Sequence, residues 1–216
     1  TERHKLLLNS KDDKIPLSGF FYFAPIIFVI LFNNNFITFL FCFAFFCVGA
    51  MADIKILTSP KIRLFMQFLL ISLYAYLNNQ ILIDTRIEIL NELMNFNTLR
   101  ILMIAFFFLV LMNGYNFIDG VNNLSSISFL IVIFFLYMVS NDLNLNFYNE
   151  KIELLFISLL VFIILNFFGK NYLGDGAIYG LGFLIGYMTI NITLLDEKIS
   201  PYFIANLLWY PAFENL

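Results

Sequence analysis

Acidic, amide and basic side chains cluster in three short stretches of an otherwise apolar chain. The stretches are GAMADIKILTSPKIRLFMQ (residues 49–67), NGYNFIDGVNNL (113–124) and FFGKNYLGDGAIYG (167–180). Their polar side chains include Asp53, Lys61, Arg63, Asn113, Asn116, Asp119, Asn122 and Asp175. Three carboxylates of this kind could hold a hard cation such as Mg²⁺, which prefers carboxylate oxygens. Lysine and arginine side chains beside them would neutralise a diphosphate.

Helix ends at these stretches offer a second way to bind anions. Helices expected to begin after Gly120 and Gly174 would present backbone N–H groups to anionic oxygens. Each stretch alone is also typical of an ordinary helix cap or interfacial loop. The coincidence of three aspartate-bearing stretches favours phosphoryl transfer at a membrane surface, where catalysis is mostly positioning and charge neutralisation.

The polar residues of NGYNFIDGVNNL recur every three positions. Because three residues turn a helix by about 300°, they form one slowly drifting flank of a helix. Carboxamides and a carboxylate are costly beside lipid, so this flank is expected to face a bundle interior or a wet cavity.

The composition indicates the element type that positions these residues. Of 216 residues, 61% are hydrophobic and only 12% are charged, too apolar a balance for a water-soluble core of this size. The two cysteines, Cys42 and Cys47, lie in one apolar run and are expected to pack as small apolar residues. No basic patch supports nucleic-acid binding.

Eight apolar runs predict an all-α integral membrane protein, a polytopic bundle of about eight transmembrane helices in a single domain, 1–216. The runs are 17–32, 36–51, 62–77, 99–114, 124–140, 152–168, 177–195 and 201–216. They lack the alternation of a membrane barrel. The spacings Gly176/Gly180 and Gly182/Gly186 predict close helix packing.

The distribution of basic residues predicts the orientation. Eight of the twelve lie on one side, namely Arg3, Lys5, Lys11, Lys14, Lys55, Lys61, Arg63 and Lys170. This places the N-terminal segment and the loops 52–61, 115–123 and 169–176 in the cytoplasm. The acidic loop 78–98 on the other side contains TRIEILNELM, which predicts an amphipathic helix.

These motifs resemble those of the polyprenyl-phosphate N-acetylhexosamine-1-phosphate transferases. That family includes undecaprenyl-phosphate N-acetylglucosamine-1-phosphate transferase and phospho-N-acetylmuramoyl-pentapeptide transferase. NGYNFIDGVNNL is similar to its asparagine/aspartate motif, GAMADIKILTSPKIRLFMQ to its double-aspartate segment and basic loop, and YLGDGAIYGLGFLIG to its Gly-Asp segment. ISPYFIANLLWYPAFENL resembles the helix before its histidine-rich loop, and RHKLLLNSKDDKIPLSGF its first cytoplasmic loop.

The resemblance implies a reaction in which a UDP-N-acetylhexosamine donates its sugar-1-phosphate to undecaprenyl phosphate and releases UMP. It implies Mg²⁺, with Mn²⁺ as an alternative, and a multi-pass protein of the bacterial inner membrane whose site loops are cytoplasmic. The implied partners are both substrates, the lipid bilayer and, as an open option, a second copy in a homodimer. The implied roles are Asp175 as metal ligand, Asp53 and Asp119 as catalytic residues, and Asn113, Asn116, Asn122, Lys61, Arg63 and Lys14 as substrate-binding residues.

The chain departs from the family pattern at several positions. Ala52 stands where the family has the first of two adjacent aspartates, and Gly19-Phe20 stands in place of Gly-Gly. Asn122 replaces a second aspartate, and the chain ends at Leu216, before the histidine-rich loop. We therefore expect a piece that lacks N-terminal helices and that loop. Two alternatives stay open: a catalytically inactive homologue that binds lipid phosphate or a partner, and a transporter.

Overall fold

The computed structural model describes residues 17–31, 35–78, 84–119, 123–143, 146–168, 171–196 and 199–214. All regular secondary structure within these ranges is helical, which confirms the predicted all-α class. Lys14 and Asn122, two of the predicted substrate-binding residues, lie outside the described residues.

Ten helices are described in these ranges. They are α1 (Ser18–Leu31), α2 (Phe36–Asp53), α3 (Pro60–Leu77), α4 (Glu88–Met94), α5 (Asn97–Ile118), α6 (Leu124–Asp142), α7 (Asn146–Phe168), α8 (Gly174–Leu195), α9 (Pro201–Leu207) and α10 (Trp209–Glu214). The first seven predicted apolar runs each correspond to one helix. The short helix α4 lies within the segment where an amphipathic helix was predicted.

The eighth predicted run, 201–216, is wrong as a single membrane crossing. It forms α9 and α10, of seven and six residues, which are interrupted at Leu208. Pro211 explains the interruption because it has no N–H to donate to the carbonyl of Leu207, one turn earlier. Each piece is far shorter than the roughly 20 residues that a bilayer crossing requires.

Within the part of the chain that the structure describes, four helices are long and apolar enough to cross a membrane: α2, α5, α6 and α8. Helix α1 is also apolar, but it has only 14 residues. Large hydrophobic side chains such as Phe21, Phe106 and Phe167 are exposed on the outside of the bundle. An outside of this kind is stable in lipid and not in water, so the chain is a multi-pass membrane protein.

Helix α8 is the centre of the bundle. Its side chains are buried continuously from Gly176 to Gly186, and it contacts α1, α2, α5 and α6. A Cβ atom at Gly180 would lie 1.7 Å from the ring of Phe46 on α2, and one at Gly186 would lie 2.6 Å from the ring of Phe108 on α5. The pair Gly176/Gly180 therefore packs against α2 and the pair Gly182/Gly186 against α5, as close helix packing at small residues predicts.

Candidate functional site

Two carboxylate-bearing stretches meet where α2 ends and α8 begins. Asp53 is the last residue of α2. Its Oδ1 accepts a hydrogen bond from the backbone N–H of Asp175, and its Oδ2 accepts one from the N–H of Gly176, both at 3.0 Å. These two N–H groups lie in the first turn of α8, where they have no partner inside the helix. Asp53 thus caps a helix that lies 122 residues further along the chain.

Small residues let the two helices approach closely enough for this cap. Gly174 begins α8 with φ +73°, a conformation that glycine adopts without strain, and a Cβ atom there would lie 2.8 Å from Oδ2 of Asp53. On α2, a Cβ atom at Gly49 would lie 2.2 Å from the carbonyl oxygen of Asp175. The backbone of α8 is therefore fixed directly against α2 at this end.

Arg63, in the first turn of α3, joins α3 to the start of α8. Its Nη1 forms a short ion pair with Oδ2 of Asp175, and both side chains retain about a fifth of their surface exposure, at 21% and 23%. The Nε atom of Arg63 is buried and has no hydrogen-bond partner among the described residues. Arg63 therefore neutralises Asp175 and keeps one donor that is not used.

A polar layer continues from Arg63 into the bundle. Gln67 lies one turn further along α3 and is fully buried. Its Oε1 accepts a hydrogen bond of 2.9 Å from Nδ2 of Asn113 on α5, which also donates to the carbonyl of Leu109. The asparagine flank of α5 therefore faces the bundle interior here, as its periodicity predicts.

The third carboxylate, Asp119, lies at the end of α5. It accepts a hydrogen bond of 2.7 Å from Oγ of Ser125 in the first turn of α6. Tyr172, in the loop before α8, is influenced by the charge of this carboxylate and by the charges of the other two. Burial raises the pKa of Tyr172 to about 12, with further contributions from the charges of Asp53, Asp175 and Asp119. All three aspartates therefore act on one hydroxyl group.

Helix α1 holds the loop that carries Tyr172. Oγ of Ser18 donates to the carbonyl of Tyr172 at 2.8 Å and accepts from its N–H at 3.1 Å. A Cβ atom at Gly19 would lie 2.0 Å from the carbonyl oxygen of Leu173. The start of α8 is thus fixed between α1 on one side and α2 on the other.

The donor set is compatible with a divalent cation that is bound mainly by its substrate. Among the described residues, no three acidic, histidine or cysteine side chains are arranged to hold a metal ion by themselves. Mg²⁺ commonly binds through one or two carboxylates together with waters and substrate phosphates. Asp175 and Asp119 offer such oxygens near Tyr172.

The structure brings some of the predicted site residues together and leaves others apart. Asp53, Arg63 and Asp175 are in direct contact, and Asn113 lies one layer deeper. Lys61 is exposed on the first turn of α3. Asn116 is half-buried on α5.

One expectation about anion binding is wrong. The N–H groups at the start of α8 were expected to face anionic oxygens of a ligand, but those of Asp175 and Gly176 donate to Asp53. A carboxylate at the end of one helix satisfies the start of another, because the N–H groups of a first helical turn have no partner within their own helix. Gly120, the other predicted helix start, lies outside the described residues.

Sequence reasoning included Gln67 only as the last residue of the GAMADIKILTSPKIRLFMQ stretch, without a role, and it missed Ser125 and Tyr172. Gln67 carries a signal, because a glutamine on a helix that faces lipid elsewhere is costly unless it is paired. Ser125 and Tyr172 carry none, since serine and tyrosine are common at helix starts and membrane interfaces.

Comparison with known proteins places this site in a family. The sequence model of Glycosyl transferase family 4 matches residues 35–193, well over half of the chain and a range that includes all three aspartates. No curated protein and no solved structure matches significantly. The chain therefore belongs to Glycosyl transferase family 4, the family of polyprenyl-phosphate hexosamine-1-phosphate transferases, which transfer a glycosyl-1-phosphate to a polyprenyl phosphate in the membrane.

Proposed function

We propose that this protein transfers N-acetylhexosamine-1-phosphate from a UDP-sugar to undecaprenyl phosphate and releases UMP. The reaction would take place at the cytoplasmic face of a bacterial inner membrane, as the first membrane step of cell-envelope glycan assembly. The observation that carries the proposal is the meeting of Asp53, Arg63 and Asp175 at one end of the bundle, with Asp119 near enough to act on the same tyrosine.

The proposed chemistry needs charge neutralisation more than proton removal. An oxygen of the lipid phosphate attacks the sugar-bound phosphorus of the UDP-sugar, and the bond to the bridging oxygen breaks, so that UMP leaves with that oxygen. A phosphate monoester loses its second proton with a pKa of about 6 and is therefore mostly a dianion at neutral pH. A dianionic acceptor needs no general base, so Ala52 in place of a carboxylate is compatible with turnover.

The described residues of this chain take the remaining roles by position, and Lys14 and Asn122, which lie outside the described residues, take theirs from the family resemblance alone. Arg63 and Lys61, on the first turn of α3, would bind the phosphates, and Lys14 would assist them. Asp119 and Asn116, at the end of α5, would line the nucleotide and diphosphate site with Asn113 and Asn122. This arrangement agrees with the general requirement of phosphoryl transfer that the reacting groups be positioned and that the phosphate charge be neutralised.

Asp175 would bind Mg²⁺ or Mn²⁺, which when present neutralises the diphosphate and the leaving UMP. In the structure Arg63 occupies the Oδ2 atom of Asp175. Its guanidinium could therefore pair with either Asp175 or the diphosphate, since both are anionic and the ion pair is partly exposed.

The test is UMP release by membranes that contain the protein, given undecaprenyl phosphate, Mg²⁺ and UDP-N-acetylglucosamine. Asp175→Asn is expected to abolish release, whereas Asp142→Asn, an exposed aspartate at the end of α6, is expected to leave it unchanged. Substantial UMP release by Asp175→Asn would remove the metal assignment. The same assay with other UDP-N-acetylhexosamines identifies the sugar.

A second candidate is a homologue that binds lipid phosphate without turnover. Ala52 favours it, because the family has a carboxylate at that position. Binding of undecaprenyl phosphate without UMP release from any UDP-N-acetylhexosamine supports this candidate. Gain of UMP release in Ala52→Asp would show that the missing carboxylate is the cause.

A further inference from the structure

Asp53 is held by the backbone of α8 through both of its carboxylate oxygens. Each oxygen accepts one N–H at 3.0 Å, from consecutive residues of the first helical turn. The donors cannot turn away, because they belong to the first turn of a helix that is buried continuously from Gly176 to Gly186 and is fixed against Gly49 of α2. Releasing the carboxylate would leave two N–H groups of a half-buried helix end without partners.

We propose that Asp53 is a positioning residue that fixes the metal-binding Asp175, and that it does not act as the proton acceptor of the reaction. This inference rests on the proposed function, because it assigns Asp53 a role in the same site. It revises the role that the family resemblance implies for Asp53. The conclusion follows from where the two carboxylates lie. The Asp53 carboxylate holds the backbone of Asp175 and Gly176, and the Asp175 carboxylate projects from that backbone.

The surrounding backbone is shaped around the Asp53 carboxylate. Gly174 takes a positive φ beside it, and a Cβ atom there would lie 2.8 Å from Oδ2. A Cβ atom at Gly176 would lie 3.4 Å from the same oxygen. The 3.4 Å contact at Gly176 is ordinary van der Waals distance, whereas Gly174 leaves no room for a Cβ atom beside this carboxylate and has a positive φ. The direction of the Asp175 side chain is therefore set by the first turn of α8, and that turn is set by Asp53.

The chemistry of the acceptor is consistent with this assignment. A dianionic lipid phosphate has no proton to give at neutral pH, so the reaction does not need Asp53 as a base. Residues that orient a metal ligand, in contrast, commonly change metal affinity by about 10 to 100-fold when they are replaced.

Three side chains at position 53 separate positioning from proton transfer. Aspartate accepts both N–H groups, asparagine accepts one through its carboxamide oxygen, and alanine accepts none. Positioning therefore predicts a graded order in which Asp53→Asn lies between wild type and Asp53→Ala. A proton acceptor predicts that Asp53→Asn is as defective as Asp53→Ala, because neither side chain can take a proton.

The first measurement is hydrogen exchange of the full chain in detergent, read from a peptide that covers 173–178. Exchange is expected to be about tenfold faster in Asp53→Ala and about threefold faster in Asp53→Asn, since each cap bond protects one amide. Asp142→Ala and Asp142→Asn, at the exposed end of α6, are the matched controls and are expected to exchange like wild type in this peptide. Unchanged exchange in Asp53→Ala would overturn the inference.

The second measurement is Mn²⁺ affinity in the presence of UDP, followed by electron paramagnetic resonance, so that the readout does not depend on turnover. The dissociation constant is expected to rise at least tenfold in Asp53→Ala and by less in Asp53→Asn. No Mn²⁺ binding by wild type, or equal affinities in the three proteins, would overturn the positioning role. Graded affinity in a protein that never releases UMP would instead refute the proposed function and leave this inference standing.

Discussion

Gly49→Ala is the perturbation whose size the structure defines best. The added Cβ atom would lie 2.2 Å from the carbonyl oxygen of Asp175, 2.4 Å from its carbonyl carbon and 2.6 Å from Cα of Gly176. All three are backbone atoms, so no side chain can rotate away. Moving from 2.2 Å to the 3.4 Å at which ordinary contact begins requires α2 and α8 to separate by about 1.2 Å at this point.

A separation of that size reaches the site directly. The two hydrogen bonds from α8 to Asp53 are 3.0 Å long, and an added 1 Å would place them beyond bonding distance. Overpacking of this kind destabilises a protein by about 1–3 kcal/mol. Because misplacement of reacting groups by about 1 Å commonly costs about 100-fold in rate, we expect UMP release to fall by about that factor.

Gly182→Ala is the matched control. It makes the same change on the buried length of α8, but the new Cβ atom would lie 3.1 Å from Cγ and 3.3 Å from Cα of Met112 on α5, a much milder contact. A shift of a few tenths of an ångström relieves that contact. The assay compares UMP release and detergent-solubilised thermal stability of the two variants. Equal activity of Gly49→Ala and Gly182→Ala, with both folded, would refute the claim that the α2–α8 crossing fixes the site.

Two further predictions concern the charges of the site. Arg63→Ala leaves Asp175 without its ion-pair partner, and we expect kcat/KM for the UDP-sugar to fall about 10 to 100-fold, with Arg63→Lys intermediate because an ammonium lacks the guanidinium fork. Arg100→Ala, at the far end of α5, is the control and should retain activity; equal effects of the two alanine variants would contradict the assignment. The raised pKa of Tyr172, about 12, means that the stability it contributes is fully present below its ordinary pKa of 10.0 and is lost as pH rises towards 12. Tyr172→Phe should remove that alkaline loss, which pH-dependent unfolding measures, and an unchanged alkaline transition would show that Tyr172 does not cause it.

The helices could be predicted from the sequence because lipid imposes a simple requirement. A run of apolar residues long enough to satisfy its own backbone in a bilayer is a helix, and seven runs followed this rule. The glycine pairs of α8 could be predicted for the same reason, since small residues permit close helix contact. The eighth run failed because hydropathy does not register the missing N–H of Pro211, which interrupts the helix at Leu208.

The meeting of Asp53, Arg63 and Asp175 could be predicted from the sequence, but the hydrogen bonds and ion pair that connect them could not. Aspartates and basic residues in an apolar chain stand out, and their positions at predicted helix ends place them on one side of the membrane. The bonding partner of each residue could not be predicted, because the hydrogen bond of Asp53 and the ion pair of Arg63 join residues that lie 122 and 112 positions apart in the sequence. Pairing over such distances depends on which helices pack together, and that depends on shape rather than on local pattern.

The charges at the site explain why the proposed reaction would depend on added cations. Three carboxylates act on Tyr172, and the guanidinium of Arg63 pairs with one of them, so the formal balance of these four described groups is negative before any substrate arrives. A UDP-sugar and a lipid phosphate bring further negative charge into the same half-buried region, where repulsion is screened less than in water. The guanidinium of Arg63 cannot neutralise Asp175 and a diphosphate at the same time. Asp175 would hold a divalent cation that supplies the missing positive charge, and Arg63 would then pair with the diphosphate; both roles require the Asp175 carboxylate to point into the site. Holding the Asp175 carboxylate in the site requires a fixed first turn of α8. In this fold that turn depends on the carboxylate of Asp53, which does no chemistry of its own.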